Sequence, residues 1–147
     1  VWLPREKVLF SGDLVEYGAT PYTGDAYLRE WPATLDRLRA LGPAKLVPGR
    51  GDALTTPQQV DAGLQGTKSF VTEMFTAVRD GANAGKSLKE VYHNTYRKLR
   101  PDFGHWVIFE HCMPFDVSRA YDEATQYPDP RIWTAERDIE MWKTLEG

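Results

Sequence analysis

The spacing of apolar residues changes near position 55, and this change constrains the fold more than any other feature of the chain. Before it, runs of two or three apolar residues alternate with segments rich in Gly and Pro; after it, apolar residues recur every three or four positions. The pattern predicts a helix-rich α/β protein with an α/β segment over 1–54 and a helical segment over 55–147. Five Trp, seven Tyr and six Phe among 147 residues supply enough apolar area for a packed core, which excludes a disordered chain.

Val1-Trp2-Leu3 and Val8-Leu9-Phe10 read as two strands joined by a turn at Pro4. The first is already under way at residue 1, so the sequence is expected to be a piece of a longer chain. Val8-Leu9-Phe10 does not alternate, as expected for a strand covered on both faces. After Ser11-Gly12-Asp13 comes a loop rich in Gly, Pro and Tyr. A helix capped by Asp25 is predicted to run to about Leu41, with Leu28, Trp31, Leu35 and Leu38 as its buried stripe and Gly42-Pro43 as its stop. Lys45-Leu46-Val47 is then a third short strand.

Thr56-Pro57-Gln58-Gln59 and Ser87-Leu88-Lys89-Glu90 each carry a helix-start signature. Val60, Leu64, Val71, Phe75 and Val78 line the first of these helices; Leu88, Val91, Tyr92 and Leu99 line the second. Pro114 divides a predicted helix over about 103–113 from another over 117–124. Thr134 caps a last helix expected to bury Ile139, Trp142 and Leu145.

A net charge of -3 offers no electrostatic footprint for nucleic acid. No apolar run reaches the roughly 18 residues that would span a bilayer, so no membrane partner is expected. Cys112 is the single cysteine, which excludes an internal disulfide framework and points to a reducing, cytoplasmic setting.

Leu9-Phe10-Ser11-Gly12-Asp13, followed by Tyr27-Leu28-Arg29-Glu30-Trp31, Leu35-Asp36-Arg37-Leu38 and Leu46-Val47-Pro48-Gly49, resembles the aspartate motif and flanks of the metallo-β-lactamase superfamily. His111 to Arg119 and Arg131 to Asp138 resemble the helical C-terminal extension of some members. The resemblance implies the C-terminal half of an αββα sandwich: a short mixed sheet plus one helix, followed by the extension packed on it. It implies a parent that hydrolyses an ester, thioester, amide or phosphodiester of a small-molecule substrate with two zinc ions. In such a parent Asp13 is the bridging metal ligand, with Arg50 and Tyr22 on the active-site rim. Read from the residues alone, Gly12-Asp13 is more readily a capped turn, and the flanking resemblance is what favours the ligand.

Two departures from the family pattern stand out. No His-x-His-x-Asp-His motif is present, and Arg50 follows Pro48-Gly49 where the family has a histidine ligand. Arginine stays protonated and has no lone pair for a metal. The isolated chain is therefore expected to lack hydrolase activity and zinc affinity. Arg50 could fill the space of the second metal and pair with Asp13; the alternative is a surface arginine on a turn.

Losing half a sandwich would expose an apolar sheet face, so a homo-oligomer or pairing with the missing N-terminal half is expected. A non-enzymatic oligomerisation or protein-interaction domain is the competing reading, with Trp106, Trp133 and Trp142 as candidate interface aromatics.

His93, His105 and His111 are too dispersed for a ligand set. His105 and Cys112, about 10 Å apart if they share a helix, suit core or interface roles. Arg50-Gly51-Asp52 spells an integrin-binding tripeptide, but a turn explains it. Tyr17, Tyr22 and Tyr27 line either a substrate pocket or their own packed loop.

Overall fold

A computed structural model describes residues 1–147. Strands β1 (Trp2–Leu3), β2 (Val8–Gly12) and β3 (Lys45–Pro48) form one sheet in that order, with β1 antiparallel and β3 parallel to β2. Helix α1 (Trp31–Ala40) lies in the crossover that a parallel pair requires. Helices α2 (Pro57–Asn83), α3 (Leu88–Phe103), α4 (Phe109–Thr125) and α5 (Ala135–Glu146) follow. The protein is helix-rich α/β, as the residue spacing predicts.

Sheet register sorts the side chains by face. Trp2 pairs with Leu9 and Leu9 with Leu46, so these three turn inward; Leu3, Val8, Phe10 and Val47 share the opposite face. Leu9 and Leu46 are buried, whereas Leu3 is 38% and Phe10 44% exposed. The unbroken apolar run of β2 suggests cover on both sides, but only one side is covered within this chain. The inward face joins a single apolar core with Val15, Leu28 and Leu35 from the first segment and Leu64, Phe70, Met74, Val91, Leu99 and Met113 from the helices.

Local signals place three helix starts correctly. Thr56 with Gln59 and Ser87 with Glu90 form reciprocal capping boxes, and the Thr134 hydroxyl accepts from the Arg137 N–H. Gly42, at φ +68°, ends the first helical unit after Leu41.

Tertiary contacts override the other local readings. Asp25 caps no helix: α1 begins at Trp31, because the N–H groups of Leu28 and Arg29 donate to the Glu123 carboxylate of α4 instead of opening a helical turn. Pro32, in the first turn of α1, is the sequence signal that marks the true start.

Pro114 does not divide two helices; α4 runs through it. An interior proline costs about 3 kcal/mol. Burial of Cys112, Met113, Val117 and Ala120 along α4 outweighs that, since each large apolar side chain contributes about 1.5–3 kcal/mol. Helix α5 buries Met141 and Leu145 and leaves Ile139 and Trp142 exposed, a rotation of the predicted stripe.

Candidate functional site

The site forms where β2 and β3 end side by side. Gly12 takes φ +54°, a left-handed conformation that ends β2 and leaves Asp13 standing off the strand. Gly12 pairs with Pro48, which brings the Pro48-Gly49 bend against Asp13. The Gly49 N–H donates to the Val15 carbonyl at 3.0 Å and the Tyr17 N–H to the Arg50 carbonyl at 3.1 Å. The segment after β2 is thereby laced to the segment after β3.

A Cβ on Gly49 would fall onto the Asp13 carboxylate and lie 2.9 Å from both Asp13 N and Gly12 C. Backbone atoms cannot yield as a flexible side chain can. Gly49→Ala is expected to lower stability on the order of 1–3 kcal/mol and to push Asp13 off its position. An unchanged midpoint in thermal unfolding would contradict this packing.

Arg50 does not pair with Asp13. Its Nη1 donates to Glu16 Oε1 at 2.7 Å, and Glu16 is fully buried. Burial drives the Glu16 carboxyl above its ordinary range, with Arg50 opposing that rise. The reason for the choice of partner is physical: exposed Asp13 is stabilised by water, whereas buried Glu16 needs a cation. The Thr67 hydroxyl holds the Glu16 backbone, accepting from its N–H and donating to its carbonyl.

A cleft of about 500 Å³ opens beside Asp13. Tyr22, Asp25, Tyr27, Glu30 and Trp31 line it, together with Ser11 and Leu14. Asp13 and Tyr22 thus share one cleft, and Arg50 lies outside it. Burial, then Asp25 and Asp116, push the Tyr22 hydroxyl up to about 12, so it stays protonated at neutral pH. Tyr17 packs against Gly51 rather than in the cleft.

The histidines are scattered over the surface: His93 on α3, His105 before α4 and His111 on α4, all exposed. His105 and Cys112 do not share a helix. Cys112 is buried, and burial raises its thiol to about 12, which suits packing rather than nucleophilic attack. No three His, Cys, Asp or Glu side chains converge on a point where a metal ion could sit.

Three charged residues that sequence reasoning left without a role shape the cleft. Asp116, Arg119 and Glu123 are buried along one side of α4 and grip the cleft loop. Asp116 Oδ1 accepts from the Thr23 N–H at 2.8 Å and the Thr23 hydroxyl at 3.0 Å. Arg119 donates to the carbonyls of Ala26, Tyr127 and Pro128 and to Glu123. The available signal was spacing: 112, 116, 119 and 123 trace one helical stripe, so charges continue a line begun by buried Cys112.

Comparison with known proteins agrees with the strand-end geometry. The family model of the metallo-beta-lactamase superfamily matches residues 1–50. A "Metallo-beta-lactamase type 2" of Bacteroides fragilis is 40% identical over a 57-position alignment that covers 35% of this chain and 23% of that protein. The chain thus spans less than a quarter of that relative's length. The segment matched by the family model contains both β2 with Asp13 and β3 with its Pro-Gly bend. Over residues 1–50, this chain is similar to the metallo-beta-lactamase superfamily, and the paired ends of β2 and β3 agree with that likeness.

Proposed function

We propose that the chain is the C-terminal part of a metal-dependent hydrolase, acting on a small molecule with an ester, thioester, amide or phosphodiester bond. The supporting observation is Asp13: an exposed carboxylate at the end of β2, set against the Gly49 bend and lining a cleft. Two zinc ions are the cofactor proposed for the intact parent, and Asp13 would be one of the residues that hold them. The donors within these 147 residues do not fit such a centre alone. Asp13 is a suitable ligand, but Arg50 stands at the other strand end with its guanidinium engaged by Glu16. The remaining donors are assigned to an N-terminal half. The isolated chain is proposed to be inactive, and its buried single cysteine favours a cytoplasmic home. No helix is long and apolar enough to cross a membrane.

The test is metal analysis and hydrolysis by the 147-residue chain beside a longer gene product carrying the upstream residues. The longer protein should hold zinc and hydrolyse a member of an ester, thioester, amide and phosphodiester panel. Asp13→Asn in it should reduce both. Stoichiometric zinc on the short chain, or full activity of Asp13→Asn, would overturn this reading.

The open sheet face favours a second reading, a non-enzymatic oligomerisation or interaction domain. Leu3, Val8, Phe10 and Val47 form an apolar surface with nothing on it. The short chain should self-associate in sedimentation, and Leu3→Glu with Phe10→Glu should return it to monomer. A clean monomer at high concentration contradicts association.

A further inference from the structure

The walls of the cleft beside Asp13 combine two chemistries that together select a ligand. Tyr22, Tyr27 and Trp31 supply aromatic surface, and Asp25 and Glu30 supply negative charge. Both carboxylates are exposed, and neither enters an ion pair within the protein. No Lys or Arg lines the cleft. Arg29, the adjacent cation in sequence, is drawn to Glu123 at 3.9 Å and lies over the Phe75 ring. Glu30 precedes α1 but its side chain caps no N–H, so its charge is not spent on the helix.

The polar ends of two of these aromatics are already committed. Trp31 Nε1 donates to the Leu14 carbonyl at 3.1 Å, and the Tyr27 hydroxyl donates to Asp129 at 3.2 Å. What these rings can offer a guest is π-electron surface, which attracts cations. The carboxylates do not converge closely enough to hold a metal ion, whereas about 500 Å³ is the size of an ordinary small-molecule site. A bulky organic cation satisfies both conditions: diffuse positive charge for the rings and carboxylates, and an apolar body for the remaining volume.

We propose that this cleft binds an ammonium or guanidinium group carried on an apolar body, and that substrates of the parent hydrolase bear such a group near the bond that is cleaved. The second half of this statement rests on the hydrolase reading; the binding itself does not.

The experiment uses the 147-residue chain with benzyltrimethylammonium as probe, 2-phenylethanol as its neutral counterpart and phenylacetate as its anionic one. The readout is the indole N–H resonance of Trp31, assigned with Trp31→Phe. The cation should shift it saturably and bind at least about tenfold more tightly than either counterpart. Asp25→Asn combined with Glu30→Gln should weaken the cation about tenfold and leave phenylethanol unchanged, with unaltered circular dichroism and melting. Absence of a saturable shift, equal binding of the three probes, or an unaffected double variant that remains folded would each overturn the proposal. Because the readout needs neither metal nor turnover, cation binding without hydrolysis in the longer protein would sink the hydrolase reading and the substrate half of this proposal, and uphold the cation site itself.

Discussion

Replacing Arg119 with Ala is expected to cost on the order of 3–5 kcal/mol of folding stability, the range for breaking a buried ion pair by removing one partner. The side chain is fully buried. Its Nε donates to the Ala26 carbonyl at 2.8 Å, Nη1 to Tyr127 at 2.9 Å, and Nη2 to Pro128 at 2.8 Å and to Glu123 Oε2 at 3.0 Å. Truncation strands three carbonyls, and Glu123 loses its buried cation while still accepting from Leu28 and Arg29. Lysine would not rescue it, because one ammonium cannot reproduce a planar fork that reaches two stretches of chain at once. Urea unfolding measures the loss, and Arg119→Lys should recover less than half of it. A loss below about 1 kcal/mol would mean that this network contributes little. Hydrogen exchange should also rise over residues 20–30, since the anchor of the cleft loop is gone.

Asp116→Asn should abolish a large dependence of stability on pH. Burial raises the Asp116 carboxyl from 3.8 to about 8, against the opposing hydrogen bonds from Thr23. The folded state therefore holds a proton there that the unfolded chain releases near pH 4. Between pH 4 and pH 8 the native state binds more protons than the unfolded state, so stability falls as pH rises across this window. Above about pH 8 the carboxylate ionises in the fold and the decline levels off. No cation sits against Asp116: its oxygen partner is Thr23, and the titratable groups that sense its charge are Tyr22 and Cys112, both neutral. Asparagine keeps an acceptor for Thr23 without an ionisable group. Denaturant unfolding from pH 5 to pH 9 should give a falling curve for the native protein and a much flatter one for Asp116→Asn, the variant being the more stable by a few kcal/mol at the alkaline end. Parallel curves would show that Asp116 is ionised throughout.

Both predictions concern α4, where local sequence signals were weakest. Pro114 reads as a break because proline lacks an N–H and crowds the preceding turn. That reading cannot include the apolar burial that carries α4 through it. Asp25 reads as a helix cap because it precedes an apolar stripe, yet the N–H groups at Leu28 and Arg29 go to Glu123, 94 or 95 residues away in sequence. Rotation of α5 has the same origin: Ile139 and Met141 are both apolar, and packing on the rest of the protein selects Met141.

The strand-end motif was legible because it depends on neighbours in sequence. Glycine adopts φ +54° at position 12 with least strain, and the close contact at position 49 leaves no room for a Cβ; together they place Asp13 beside the bend. The capping boxes at Thr56 and Ser87 are legible for the same reason, since each is closed within four residues. Short-range residue patterns thus set the α/β-then-helical order, the strand-end position of Asp13 and the helix starts with reciprocal caps. Long-range packing settles that Arg50 serves Glu16, that Asp116, Arg119 and Glu123 hold the cleft loop, and which side of each helix is buried. Those outcomes depend on which buried charge lacks a partner once the chain has folded, a quantity that local spacing does not contain.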